Sequence, residues 1–339
     1  MKRRTLFAAG IALLCFVIPM ILPYGAASVA DAPEEIPPET PPMQVKIVQP
    51  KPAAQELPFD EELTIPVKLE SGVEELSLRE YLVGVVLAEM PASFSAEALK
   101  AQAVASRTFT LRKIDAEKHE DAGVCGNSSC CQGYISPTAY VQGAGSQENV
   151  EAVRMAVEAT DGLVVTYNNA LIDATYFSCS GGRTEAAVAV WGGDIPYLQA
   201  VDSPGEEDAL RYTETLEIDA REFAATLLAS YPEMDLGASP ADWFGATSYT
   251  AGGGIDCISI GGVEVSGTAL RSLFSLRSTN LILTPEQDSI IIKSFGFGHR
   301  VGMSQYGADA MARSGKDFEE ILTHYYQGTK IQKLLRNAQ

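Results

Sequence analysis

The stretch LREYLVGVVLAEMPASFSAEALKAQAVASRTFTLRK, residues 78–113, decides the fold. It predicts two helices that are separated at Pro91, because proline interrupts a helix. Ser77 is followed three residues later by Glu80, a spacing that predicts a capping box at the start of the first helix. Ser95 is predicted to cap the second helix. The packing face of the second helix is predicted to contain Ala98, Gln102, Ala105 and Phe109.

The first helix ends at Glu89, directly after the apolar run Gly84–Ala88. Apolar surroundings disfavour the charged form of a carboxyl group and raise its pKa. A general acid that works at neutral pH needs such a raised pKa. The ordinary alternative is an exposed carboxylate, since glutamate is seldom buried. Glu89 is therefore a candidate catalytic acid, but the sequence pattern alone does not distinguish it from an exposed surface carboxylate.

Composition and the N-terminus limit the class of protein. The chain has 339 residues and a formal net charge of −19. This charge argues against nucleic acid as a partner, because binding to phosphates needs clustered Lys and Arg. Residues 1–30 carry three cations before a long apolar run, which predicts either a membrane anchor or a cleavable signal with the rest of the chain outside. We expect the anchored form, with an extracytoplasmic catalytic domain.

The remaining chain is predicted to contain a linker and one mixed domain. Residues 31–60 are rich in Pro and Glu, which is typical of an extended spacer. Residues 61–335 are predicted to form an α+β catalytic domain, starting with a strand near Leu63. Asn168-Asn169 predicts a hairpin. Residues 204–288 combine a helical stretch, a glycine-rich segment and short strand-like pieces, which predicts a smaller inserted subdomain there.

A cluster of soft ligands indicates a metal site. Thiolates and an imidazole at this density suit tetrahedral zinc, and four protein ligands would make the site closed and structural. The alternative is disulfide chemistry, which an exported location permits. Cys179 and Cys257 would then pair with each other or stay free thiols. The predicted zinc ligands, in the pattern H-x5-C-x4-C-C, are His119, Cys125, Cys130 and Cys131.

Three segments together resemble the stage II sporulation protein D family, which includes enhancers of cell-wall amidases. They are YLVGVVLAEMP (81–91) running into AQAVASRT (101–108), SCSGGRT (178–184) and GFGHRVGMSQYG (296–307). The resemblance places Glu89 at the family's catalytic glutamate. It also implies a zinc cluster, with Cys130 standing where some sporulation members have a histidine.

The resemblance implies a lytic transglycosylase that cuts peptidoglycan between MurNAc and GlcNAc, leaving 1,6-anhydroMurNAc ends during sporulation engulfment. One acid is sufficient for this reaction, because the C6 hydroxyl of the sugar replaces water as the nucleophile. The implied partners are glycan strands stripped of stem peptides, a cell-wall amidase and membrane proteins of the engulfment machinery. The alternatives are a non-catalytic amidase enhancer and a zinc hydrolase.

The predicted domain and its inserted subdomain are expected to enclose a glycan-binding groove. Each candidate contact residue could instead have a purely structural role, in an ion pair, in a tight turn or as a hydrogen-bonded histidine that binds no ligand. Trp191 is a further candidate for stacking on a sugar ring, although aromatic residues are more often core. The predicted substrate-binding residues are Gln102, Arg107, Ser178, Ser180, Gly181, His299, Gln305 and Tyr306.

Overall fold

The computed structural model describes residues 58–114, 119, 121–143 and 145–334. The predicted N-terminal segment 1–30 and nearly all of the predicted linker 31–60 lie outside these residues. A membrane-spanning helix needs about 20 mostly apolar residues. Within the described ranges, no helix has the length and apolar composition needed to cross a bilayer. The predicted membrane-anchored location is therefore wrong for this part of the chain.

Helices and short strands are interspersed along the described chain, which confirms the predicted α+β class. The helices are α1 (Phe59–Glu62), α2 (Leu78–Glu89), α3 (Ala96–Lys113), α4 (Pro137–Gln142), α5 (Gln147–Ala159), α6 (Ala187–Trp191), α7 (Ala220–Ser230), α8 (Gly267–Leu273), α9 (Gln305–Arg313) and α10 (Phe318–Tyr325). The strands are β1 (Thr64–Leu69), β2 (Gly72–Ser77), β3 (Val124–Cys125), β4 (Leu163–Tyr167), β5 (Ala170–Leu171), β6 (Tyr176–Phe177), β7 (Gly182–Arg183), β8 (Asp202–Ser203), β9 (Thr213–Asp219), β10 (Phe244–Tyr249), β11 (Ile255–Ile260), β12 (Val263–Ser266), β13 (Asn280–Pro285), β14 (Ser289–Phe295), β15 (Met303–Ser304) and β16 (Lys330–Lys333).

The strands form small sheets with the orders β2-β1-β3, β16-β4-β5, β10-β11-β12, β13-β14-β9, β7-β8 and β15-β6. The predicted first strand is present as β1, and it buries Ile65 and Val67 on one face. The predicted hairpin is also present. Asn168 and Asn169 adopt φ values of 50° and 64° in the turn between β4 and β5, which suits asparagine in a two-residue hairpin turn.

The predicted helix pair lies in the main hydrophobic core. Helix α2 is buried over most of its length, and Ser77 caps it by accepting a 3.2 Å hydrogen bond from the Glu80 backbone N–H. Helix α3 packs against α2, α5, α9, α10 and β4. Ser95 occupies the N-cap position of α3 as predicted, but its hydroxyl makes no cap hydrogen bond and instead donates to Asp309 at 2.8 Å.

A second hydrophobic cluster forms between residues 216 and 292, around Phe223 and Ile290. Its sheet includes β14, which runs on to Phe295 and so leads directly into the Gly-rich segment 296–302. The described residues nevertheless all belong to one compact unit. A separate subdomain with boundaries at about 204–288 therefore stays a prediction.

The predicted substrate-binding role of Arg107 is wrong. Its side chain is fully buried, and Nε and Nη2 donate to the Asp60 carboxylate at 2.9 and 2.5 Å. Nη1 donates to the Leu163 carbonyl at 3.1 Å. Burial raises the pKa of Asp60 although the Arg107 charge lowers it. Arg107 thus ties α3 to α1 and β4 and has no access to a ligand in solvent.

Replacing Arg107 by Met should lower the free energy of unfolding by about 3–5 kcal/mol, because the Asp60 carboxyl would stay buried without its cation. Chemical denaturation of the full-length chain measures this change. Lys316→Met is the matched control, since its pair with Glu320 is half exposed and exposed pairs contribute little to stability. Equal effects of the two substitutions would show that the buried pair does not stabilise the fold.

Candidate active site

Glu89 lies where two cavities meet, with volumes of about 130 and 410 Å³. Glu89, Ser128, Tyr176 and His299 line both of them. The smaller cavity is completed by Phe109, Cys131, Gln132 and Thr175. The larger one is completed by Phe177, Ser178, Arg211, Phe297, Gly298 and Gln305. Glu89 is the only carboxylate among these described residues.

The Glu89 carboxyl is sheltered and held by one backbone group. The Gly133 N–H donates a short hydrogen bond to Oε1. Burial raises the pKa of Glu89, and the Gly133 hydrogen bond opposes this rise only in part. Because Oε1 accepts that bond, the proton of the neutral acid belongs on Oε2. The charged form of the Glu89 carboxyl is therefore disfavoured, as the apolar sequence before it suggested.

Gly133 reaches Glu89 because the segment 131–135 runs along helix α2. At Gly84, an added Cβ would lie only 2.3 Å from the Tyr134 ring. The Ile135 N–H donates to the Gly84 carbonyl at 3.2 Å, and the Tyr134 ring stacks on Tyr81 with centroids 5.8 Å apart. The missing side chain at Gly84 thus permits the close approach that places Gly133 beside the acid.

Tyr176 forms a second polar wall of both cavities. Its hydroxyl donates to Gln132 Oε1 at 2.9 Å, and Gln132 Nε2 donates to Thr110 Oγ1 at 2.8 Å. Burial raises the pKa of Tyr176 well above its usual value, and the nearby Glu89 charge adds to this. Tyr176 is therefore a neutral phenol in a fixed orientation.

His299 is also neutral. Burial, with help from the Arg271 charge, lowers the pKa of His299 to about 4, although a hydrogen bond with the Tyr176 backbone opposes this. Nδ1 accepts a 3.1 Å hydrogen bond from the Val301 N–H, so the ring proton is on Nε2. The ring lies 5.2 Å from that of Trp191, which is 49% exposed. An apolar ring at this position can support a sugar face.

Several predicted contact residues do line the cavities. Ser178, His299 and Gln305 line the larger one. Gln102 is fully buried behind it, and its Oε1 accepts from Gln305 Nε2 at 3.4 Å. Gln102 therefore supports Gln305 and does not itself face a ligand. Tyr306 packs edge-on against Phe94 at 5.0 Å and is not among the lining residues.

The predicted contacts from Ser180 and Gly181 are wrong. Ser180 is fully buried, and its N–H and hydroxyl donate to Glu206 at 2.5 and 3.0 Å. The Gly181 N–H also donates to Glu206. An added Cβ at Gly181 would lie 2.8 Å from the Phe295 backbone. The small residues here allow two protein segments to pack together and leave no room for a sugar.

The predicted metal ligands converge. The ligand atoms of His119, Cys125, Cys130 and Cys131 all lie within 4.8 Å of one another. His119 Nε2 is 3.2 Å from Cys131 Sγ and 3.7 Å from Cys130 Sγ. Zn–S and Zn–N bonds of about 2.3 and 2.0 Å require similar spacings between ligands in a tetrahedron. The donor set therefore fits a four-coordinate zinc ion.

A turn brings the adjacent cysteines to this cluster, since the N–H groups of Cys130 and Cys131 both donate to the Asn127 carbonyl at 3.0 and 2.9 Å. Cys179 and Cys257 do not pair with each other and are free thiols. Cys131 also lines the smaller cavity. The cluster is thus adjacent to the site of the acid.

Sequence reasoning missed Tyr176, Gln132, Arg211 and Phe297. Each comes to the cavities through contacts between distant segments. Arg211 and Phe297, for example, are 86 positions apart in the chain and lie against each other with the guanidinium carbon 4.9 Å from the ring centroid. No local pattern marks such residues.

The fold and site define an α+β protein in which one sheltered helix-borne acid opens onto a cleft with aromatic and Gly-rich walls. Residues 68–167 match the family model for stage II sporulation protein. The stage II sporulation protein D of Bacillus subtilis is 37% identical over 276 residues, covering 79% of each chain. That of Bacillus amyloliquefaciens is 34% identical and covers 98% of this chain and 96% of its own.

The chain therefore belongs to the stage II sporulation protein D family. A more distant relative is the amidase enhancer of Bacillus subtilis. It is 29% identical over 299 residues, which are 74% of this chain and 40% of that protein.

The raised pKa of Glu89 predicts a stability that falls with pH. In the unfolded chain a glutamate ionises near pH 4.3, whereas in the folded protein burial keeps Glu89 protonated to higher pH. The unfolded state therefore binds fewer protons, and stability is lost as the pH rises from about 4.3 through the folded pKa.

Glu89→Gln should lack this loss, so its free energy of unfolding should rise relative to wild type by about 1.4 kcal/mol for each unit of pKa shift. Denaturation of both proteins between about pH 4 and 8 tests this. Glu80→Gln, at an exposed position of the same helix, should retain the wild-type dependence. If the difference in free energy of unfolding between wild type and Glu89→Gln were the same at every pH, a raised pKa of Glu89 would be contradicted.

Proposed function

We propose that this protein is a peptidoglycan lytic transglycosylase that cleaves glycan strands between MurNAc and GlcNAc and leaves 1,6-anhydroMurNAc ends. The observation that carries the proposal is Glu89: a single carboxyl that lines both cavities and whose pKa is raised by burial. Family membership supports a role in sporulation, and the proposed setting within it is the remodelling of septal peptidoglycan during engulfment.

In this mechanism Glu89 Oε2 donates its proton to the glycosidic oxygen while the bond from MurNAc C1 to that oxygen breaks. The C6 hydroxyl of the same sugar attacks C1, and Glu89 takes up the hydroxyl proton. The acid is thereby regenerated and no water is consumed. The Gly133 N–H stabilises the carboxylate that exists between the two proton transfers, because a hydrogen bond to the charged form favours it.

The single acid separates this reaction from ordinary hydrolysis. Glycoside hydrolases generally use a pair of carboxylates, one of which activates water or attacks the sugar. In the described cavities, Glu89 has no second carboxylate as a partner. Internal attack by the C6 hydroxyl removes the need for one. The neutral groups of Tyr176, Ser178, His299 and Gln305 then serve to hold sugar hydroxyls.

Full-length protein incubated with purified, peptide-stripped glycan strands should release products with anhydro ends, detected by mass spectrometry. Glu89→Gln cannot donate or accept the proton, so product formation should fall by about 10²–10⁴-fold, the usual contribution of a general acid. Glu80→Gln should remain active. Equal product from wild type and Glu89→Gln would contradict the mechanism.

A second candidate function is a non-catalytic amidase enhancer, favoured by the similarity to the amidase enhancer of Bacillus subtilis. This function predicts that glycan binds without turnover, that a cell-wall amidase is stimulated, and that Glu89→Gln has no effect on stimulation. An amidase that strips stem peptides is also the proposed partner of the lytic enzyme, with membrane proteins of the engulfment machinery as further partners.

We also propose that His119, Cys125, Cys130 and Cys131 hold a structural zinc ion. With four protein ligands the site has no open position for substrate. The ion would link His119 to the turn at Asn127 and to strand β3, and so stabilise the segment that presents Gly133 to Glu89. The proposed role of the ion is to hold the backbone of this segment in place.

Removing zinc with a chelator should lower the melting temperature and the anhydro-product yield together, because the ion stabilises the fold around Glu89. Cys125→Ser should reproduce both effects, and metal analysis should show less than one zinc per chain. Cys257→Ser, which removes a thiol outside the cluster, is the control. Loss of activity with an unchanged melting temperature would favour a catalytic ion instead.

A further inference from the structure

Arg211 supplies the larger cavity with a cation that has no ion-pair partner within the described chain. Its exposed side chain lines the cavity together with Glu89 and Phe297. Its guanidinium carbon lies 4.9 Å from the centroid of the Phe297 ring. Arg277 lies 5.8 Å from the same ring but is paired with Glu214 at 2.9 Å and is not among the lining residues.

Backbone contacts fix the position of Arg211. Its carbonyl accepts a hydrogen bond from Cys179 Sγ at 3.5 Å. Its neighbour Tyr212 accepts a hydrogen bond from the Gly296 N–H at 2.7 Å. Phe297 is held by backbone hydrogen bonds with Cys179. Stacking on an aromatic ring orients a guanidinium, and the N–H groups at its edge stay available for a planar anion.

The charge balance of the cavity points to an anionic ligand group. The whole chain has a net charge of −19, yet the larger cavity contains one permanent cation. His299 adds no charge near neutral pH because its pKa is about 4. Arginine binds carboxylates with paired, charge-assisted hydrogen bonds. A neutral sugar polymer such as chitin would leave this guanidinium unused.

We propose that Arg211 binds the lactyl carboxylate of the muramic acid residue whose glycosidic bond faces Glu89, an inference that rests on the proposed function. Muramic acid carries a lactyl ether at O3, close to the reacting C1 in the same ring. When a stem peptide is attached, this carboxyl is a neutral amide. When the peptide is removed, it is an anion. Arg211 would thus make the site selective for peptide-stripped strands.

Stem peptides also contain carboxylates, so the test must separate the two sources. Equilibrium binding is measured with the full-length Glu89→Gln chain, which prevents turnover. Three ligands are compared: stripped strands, stripped strands whose lactyl carboxyls are converted to methylamides, and strands that retain stem peptides. Stripped strands should bind most tightly, because only they present the free lactyl anion.

Adding Arg211→Gln should weaken binding of stripped strands roughly 10- to 100-fold, as expected for a hydrogen bond between charged groups. Binding of the methylamide and stem-bearing strands should stay unchanged, and Arg211→Lys should retain part of the preference. Arg277→Gln removes the other guanidinium from the same ring and should keep full selectivity. Melting temperatures confirm that each variant is folded.

The inference is overturned if the Glu89→Gln chain with Arg211 intact shows no selectivity for the free carboxyl. It is also overturned if Arg211→Gln weakens binding of all three ligands equally, or if only stem-bearing strands depend on Arg211. Product analysis with an intact Glu89 keeps the two proposals distinct. Selective binding without anhydro products would contradict the lytic function and leave the carboxylate site standing. Cleavage that does not depend on the lactyl group would contradict the carboxylate site and leave the lytic function standing.

Discussion

The close contact between helix α2 and the segment 131–135 is the constraint on which the site depends. Gly84 allows the Tyr134 ring to lie against the helix, where a Cβ would clash at 2.3 Å. From that contact the segment extends to Gly133, which donates to Glu89. The same segment supplies Cys131 to its cluster with His119, Cys125 and Cys130. The environment of the acid is therefore set by a tertiary contact and not by its own helix alone.

The opposite wall of the cleft is built from two Gly-rich segments, 178–182 and 296–302, that pack on each other. Arg300 is buried and connects them, since its Nε donates to the Ser180 carbonyl at 2.7 Å and its Nη2 to the Gly252 carbonyl at 2.7 Å. Its Nη1 pairs with buried Glu185 at 3.1 Å. These buried bonds give the wall a fixed backbone, from which Ser178 and His299 face the cavity.

Local patterns in the sequence were sufficient for the helix pair, the Ser77 cap, the hairpin at Asn168 and the clustering of His119 with three cysteines. Each depends on residues close together in the chain. Patterns failed where a residue's partner is remote. Arg107 was expected to face a ligand, but Asp60, 47 positions away, holds it in the core. Nothing near Ser180 in the sequence reveals that Glu206 buries it.

The central claim is that burial raises the pKa of the Glu89 carboxyl above its usual value. A direct measurement is an NMR titration of the full-length chain with ¹³C-labelled glutamate carboxyls, in which the Glu89 signal is assigned by its absence from Glu89→Gln. The account predicts a midpoint clearly above the ordinary glutamate value of about 4.3. A midpoint at or below that value would show that Glu89 is an ordinary carboxylate and not the sheltered acid described here.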